Sequence, residues 1–191
     1  MKLTKLFHLN EAPPEVIQEQ PVAPEQALNE AFALLTRGNG AVARAISDCV
    51  SDTGKYYSAR WEILERHGLE YSTEAEPWLR VIAAVEACMA EGFLRELPHD
   101  CSPAAFSDAV RESLSASGIT FSLDRLDFDA QKNLDAWTRL FNEYAGQSGI
   151  TLYFVELYGE GAVMGAAGIA DYAGAAEIAG FAGVKITCRP D

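Results

Sequence analysis

Glu96, His99, Asp100 and Cys101 form the densest group of side chains in this 191-residue chain able to do acid–base or metal chemistry. An imidazole that titrates near neutrality, two carboxylates and a thiol are the parts of a general base, a nucleophile or a cation site. A zinc or transition-metal site needs three or four converging ligands, usually two or more of them His or Cys. The remaining histidines, His8 and His67, are remote in sequence and no motif joins them to this group. Pro98 before the group and Ser102-Pro103 after it offer a simpler account: a polar loop leading into a helix capped by Ser102, with Pro103 in its first turn. The group stands as an alternative polar site, and the chain is expected to fold without metal or cofactor.

Asp124, Asp127 and Asp129, with Asp135 beyond them, are the second constellation. A calcium loop needs D-x-D-x-D-G and a late Glu, and neither that glycine nor that Glu is present. Asp129 reads as the cap of a following helix over residues 130–145, and the others as a solvated acidic edge near its start. This edge is also the best place on the chain for a basic protein partner. The third pattern is Gly159-x-Gly161-x-x-x-Gly165 after an apolar run, which has some of the glycines of a dinucleotide-binding turn. Met164 stands where the usual third glycine belongs, and too little chain follows for a second half of such a fold. A hairpin with tight backbone packing explains these glycines without a ligand.

No G-x-S-x-G, H-E-x-x-H, Walker loop or clustered Cys/His pattern occurs in the sequence. Triads assembled from distant residues leave no such signature, so an enzyme is disfavoured and not eliminated. The formal net charge is −13, and residues 73–145 carry seven of those charges, with six Lys/Arg against thirteen Asp/Glu. Such a chain repels phosphate backbones and anionic headgroups, which argues against nucleic-acid and membrane partners. No apolar run approaches the ~20 residues of a bilayer span, and Met1–Leu9 lacks the length and cleavage site of a signal peptide. Cys49, Cys88, Cys101 and Cys188 are far apart with no CxxC pair, as expected of reduced thiols in a cytoplasmic protein.

The elements that must position these residues follow from periodicity. Residues 1–23, with three prolines, read as an extended arm before a single domain over 24–191, made of a helical layer (24–72) and a core (73–191). Helices are expected from Pro24 to Gly38, from Gly40 to Val50, and on Tyr57, Trp61, Ile63, Leu64 and His67, the last stopping at Gly68. Asp52-Thr-Gly is read as a break between the second and third. Trp78, Val81, Ile82, Val85, Cys88 and Met89 make one stripe of a long helix that Gly92 ends. Phe93–Leu97 alternates like a strand, and Phe106, Ala109, Val110 and Leu114 are the buried stripe of the helix after Pro103. A later helix buries Leu134, Trp137, Leu140, Phe141 and Tyr144, so Trp78 and Trp137 are expected to share one core. Ile150–Leu157 is a strand, Ala162–Ile169 a glycine-thinned return strand, Ala170–Gly180 a small-residue helix and Val184–Cys188 a last strand. The fold class is α+β, a helical first two thirds packed with a small, mainly antiparallel C-terminal sheet.

Four features together resemble a bacterial family known as domain of unknown function 6630. They are the helix ending in Glu91-Gly-Phe-Leu-Arg-Glu-Leu, the helix after Ser102-Pro103, the linker with Leu123-Asp124 and Leu126-Asp127, and Ala136-Trp137 through Gly149 before the strand Ile150–Leu157. The likeness covers about 75–191. Pro98-His99-Asp100 replaces an expected Asp-Trp, and Tyr158-Gly-Glu-Gly-Ala-Val-Met-Gly replaces a more polar hairpin. The resemblance implies the α+β class and supplies no catalytic residue. The leading expectation is therefore a non-catalytic binding or regulatory protein whose Asp124, Asp127 and Asp129 face a basic protein, as an immunity-type protein would. A small enzyme or metal-dependent hydrolase built on Glu96, His99, Asp100 and Cys101 is the alternative, and a purely structural subunit a third.

Overall fold

About four turns of helix with apolar residues on more than one side need neighbours on more than one side, and the structure supplies them. The computed structural model describes residues 23–62, 76–157 and 161–189. Among these, helices α1 (Pro24–Leu35), α2 (Gly40–Ser51), α3 (Thr53–Ala59) and α4 (Glu76–Ala90) precede strand β1 (Leu94–Pro98). Helices α5 (Pro103–Ala116) and α6 (Leu134–Ala145) follow, then a 3-10 turn (Gly146–Ser148), β2 (Ile150–Val155), β3 (Gly161–Gly168), α7 (Ile169–Phe181) and the short β4 (Ile186–Thr187). The expected arm and the Ile63–Gly68 part of the expected third helix lie outside the described residues.

Helix α4 is the middle of a helical layer. Val81, Ala84, Val85 and Cys88 pack toward the sheet, while Leu79, Ile82 and Ala83 pack with Cys49 of α2 and Tyr56 of α3. The single stripe expected for this helix is thus corrected. Leu79, Ala83 and Ala84 are buried, and Trp78 and Met89 are only partly so, because a helix with neighbours on two sides has no free back. Asp52 both ends α2 and caps α3, its carboxylate accepting from the Lys55 N–H. Thr53 and Gly54 are therefore helical, not a break, and Trp61 is 51% exposed beyond the end of α3.

The sheet is antiparallel throughout, in the order β1-β3-β2-β4. Alternation divides its side chains between two cores. Leu94, Tyr153, Val155, Val163, Ala167 and Ile186 face α1, α2, α4 and α7. Leu97, Ile150, Leu152, Phe154, Ala162, Met164 and Ala166 face α5 and α6. Trp78 lies against the first core and Trp137 in the second, so the expectation of one shared tryptophan core is overturned. Two helices whose tryptophans lie 59 residues apart can carry the same pattern and still cover opposite faces of a sheet.

Strands β1 and β4 are both too short to flank the whole of β3 and β2, and helix side chains finish the ladder. Ala166 on β3 and Leu152 on β2 are register partners. The Ala166 N–H donates to Ser113 Oγ (2.8 Å), Ser113 donates on to the Phe93 carbonyl (2.8 Å), and Ser117 donates to the Ala166 carbonyl (2.8 Å). On the far side the Leu152 N–H donates to Asn142 Oδ1 (2.7 Å), and Asn142 Nδ2 donates to the Leu152 and Cys188 carbonyls. Polar groups on α5 and α6 thereby occupy the places of missing strand residues and protect the edges. Replacing Ser113 with Ala should leave the buried Ala166 amide unpaired and cost about 1–3 kcal/mol. Chemical denaturation checks this, and a loss under about 0.5 kcal/mol would mean that the amide finds another acceptor.

Candidate functional site

Between α5 and α6 the chain runs without regular structure from Ile119 to Asn133. It is pinned by apolar side chains: Leu123 and Phe128 are buried in the second core and Leu126 is partly so. Phe128 meets the Phe106 ring edge-on with centroids 4.9 Å apart. With every anchor pointing inward, Asp124, Asp127 and Asp129 are left exposed on the outer side. Backbone bonds stiffen the same segment, with the Leu126 N–H on the Leu123 carbonyl (2.9 Å) and the Asp124 N–H on Ser122 Oγ (3.2 Å).

Asp129 does not cap α6, contrary to expectation. The helix starts at Leu134, and Asn133, in extended backbone, accepts from the Ala136 N–H (3.1 Å). Asp129 instead holds the turn before it. Its carboxylate accepts from the Gln131 N–H (2.8 Å) and its carbonyl from Lys132 N–H and from Trp137 Nε1–H (2.9 Å). A short polar side chain that bonds its own backbone two residues on favours a turn as readily as a cap. Asp135, in the first turn of α6, pairs with Arg139.

The alternative polar group is spread along a strand and a turn. Glu96 is exposed on β1, and His99 and Asp100 are exposed in the turn closed by the Cys101 N–H on the Pro98 carbonyl (3.0 Å). Cys101 packs against the second core, and Ser102 caps α5 by accepting from the Ala105 N–H. Burial and the neighbouring Asp100 charge push the Cys101 thiol up, away from the reactive thiolate. Burial does the same to Cys49 and Cys88. Among the described residues, no three His, Cys, Asp or Glu side chains lie where they could hold a metal ion together. His8 and His67 are outside the described residues.

Of the glycine pattern, Gly161 and Gly165 both lie inside β3, and Gly159 is outside the described residues. Gly165 sits opposite Tyr153, and a Cβ there would come within 2.4 Å of the Tyr153 ring. The glycine makes room for an aromatic ring within a hairpin, not for a phosphate.

A family model covers residues 27–190, nearly the whole chain and well past the 75–191 over which the resemblance was seen. The chain belongs to the DUF6630 family, a domain of unknown function. The helical layer of α1–α3 thus falls within the matched DUF6630 domain. No curated protein and no solved structure matches the chain. Among the described residues of this DUF6630 protein, no helix is long and apolar enough to cross a membrane.

One feature of the acidic edge gave no signal in the sequence. A groove of about 580 Å³ opens beside Asp124, lined also by Phe121, Ser122, Arg125, Tyr144, Gln147 and Ser148. Phe121 and Tyr144 are far apart along the chain. They meet because α6 folds back over the segment that precedes it, with the Phe121 ring steeply tilted against both Phe141 (5.4 Å, 62°) and Tyr144 (5.9 Å, 68°).

Proposed function

We propose that this DUF6630 protein is a bacterial, cytoplasmic binding or regulatory protein that presents the edge of Asp124, Asp127 and Asp129 to a basic protein partner. An immunity-type protein neutralising a cationic toxin is one concrete form. What supports the reading is that the three carboxylates are exposed on a segment anchored by Leu123 and Phe128, within a chain of net charge −13. Charges held on a fixed surface steer association more than they slow dissociation.

The test is an association-rate measurement with an arginine- and lysine-rich peptide, comparing two triple variants that remove equal charge. One changes Asp124, Asp127 and Asp129 to Asn. The other changes the exposed Asp48, Glu91 and Glu177 to Asn, Gln and Gln. The edge variant should lose more of the on-rate, and the difference should vanish in 1 M salt, where the Debye length is ~3 Å. Asn at 129 keeps the oxygen that accepts from Gln131, so stability should hardly move. Equal losses in the two variants would mean that only net charge matters and would end the edge reading.

A further inference from the structure

We propose that the groove beside Asp124 receives an arginine side chain of the basic partner, stacked on Tyr144 and paired with the Asp124 carboxylate. The inference rests on the acidic-edge reading and names the group that reading leaves open.

Three features of the groove favour a planar cation. Tyr144 and Phe121 give it an aromatic wall, and the contact of Phe121 with the fully buried Phe141 holds that wall in place. Cations are attracted to such faces, and guanidinium, planar and weakly hydrated, stacks on them better than ammonium does. Asp124 lines the groove, with its backbone N–H fixed on Ser122 Oγ. The groove also lies at the C-terminal end of α6, where the helix dipole is negative and the last turn carries no basic side chain. Gln147 and Ser148, on the 3-10 turn that follows, add neutral oxygens.

Arg125 lines the same groove and opposes a second cation. With one carboxylate and one guanidinium lining the groove, a bare ion gains little there. A side chain that also buries its methylene stem against Tyr144 gains from both ends. The volume of about 580 Å³ accommodates a guanidinium and its stem.

The experiment follows backbone amide signals of the full chain during titration with acetyl-Gly-Arg-Gly-amide, and with the lysine and norleucine counterparts. The arginine peptide should shift signals of 121–125 and 144–148, the lysine peptide should bind about fivefold more weakly, and norleucine should shift nothing. Tyr144→Leu should weaken the arginine peptide about fivefold, and Arg125→Gln should tighten it. Ser148→Arg, at an exposed position where folding is not at stake, should fill the groove with the protein's own cation and abolish binding. Shifts spread evenly over the acidic surface, or binding unchanged by Ser148→Arg, would overturn the proposal. Should the edge variant slow association while Ser148→Arg leaves the arginine peptide bound, the edge reading stands and the groove falls. Should Ser148→Arg block the peptide while the two charge variants behave alike, the edge reading falls and the groove remains an arginine site.

Discussion

Replacing Trp137 with alanine is expected to destabilise the protein by about 3–5 kcal/mol, the cost of truncating a large aromatic in a packed core. Trp137 is 3% exposed and its ring lies 5.6 Å from that of Phe106, which in turn meets Phe128. Its Nε1–H donates to the Asp129 carbonyl, so the same change frees the turn that leads into α6. The acidic segment should loosen with the core, because its anchor Phe128 packs on Phe106, the ring that Trp137 supports. Trp78→Ala should cost less, since Trp78 is only partly buried on the opposite face of the sheet. The two losses should add to within about 0.5 kcal/mol, as expected of sites with no shared partners. Denaturant melts of the two single variants and the double check both statements. A Trp137→Ala cost under about 1 kcal/mol, or strong coupling between the two, would contradict the division into two cores.

That division marks where the sequence stops being informative. Periodicity placed α4, α5 and β1, because spacing within one element reports its own buried side. Residue type placed β2, β3 and α7, and the two strands, buried on both faces, show no alternation. Periodicity cannot report which layer that side meets. Trp78 and Trp137 sit on helices of similar pattern, yet one covers each face of the sheet. Burial of Leu79 and Ala83 was hidden for the same reason: α2 and α3 cover the back of α4. At the start of α6, Asp129 and Asn133 are chemically equal candidates for the cap, and only backbone geometry separates them. Local polarity did show the exposure of Asp124, Asp127 and Asp129, since Leu123 and Phe128 beside them had to point inward. The groove that pairs Phe121 with Tyr144 needed the path of the chain. The serines that complete the ladder at Ala166 were equally silent, looking in sequence like ordinary polar positions on an amphipathic helix.

Gly165 joins sequence to packing most directly, and its replacement should show the second large effect. It lies between Leu94 of β1 and Tyr153 of β2, and a Cβ built there falls 2.4 Å from Tyr153 Cζ and 2.5 Å from the phenolic oxygen. Real contacts are never that short, so Gly165→Ala must displace the ring. Tyr153 is fully enclosed, stacked near Tyr172 at 6.5 Å, and close enough to Cys88 to share its buried surroundings. Burial raises the Tyr153 phenol far above its ordinary range, which keeps it neutral across physiological pH. With no solvent to move into, the ring can only push on its neighbours in the first core, and overpacking of this kind costs about 1–3 kcal/mol or more. Removing the ring should remove most of that penalty. In a Tyr153→Leu background, itself destabilised by the lost aromatic, adding Gly165→Ala should cost no more than about 0.5 kcal/mol, a coupling well outside additivity. If the alanine costs as much with leucine opposite as with tyrosine, the glycine is needed for its backbone and not for the ring. The hairpin would then owe its glycine to something other than Tyr153.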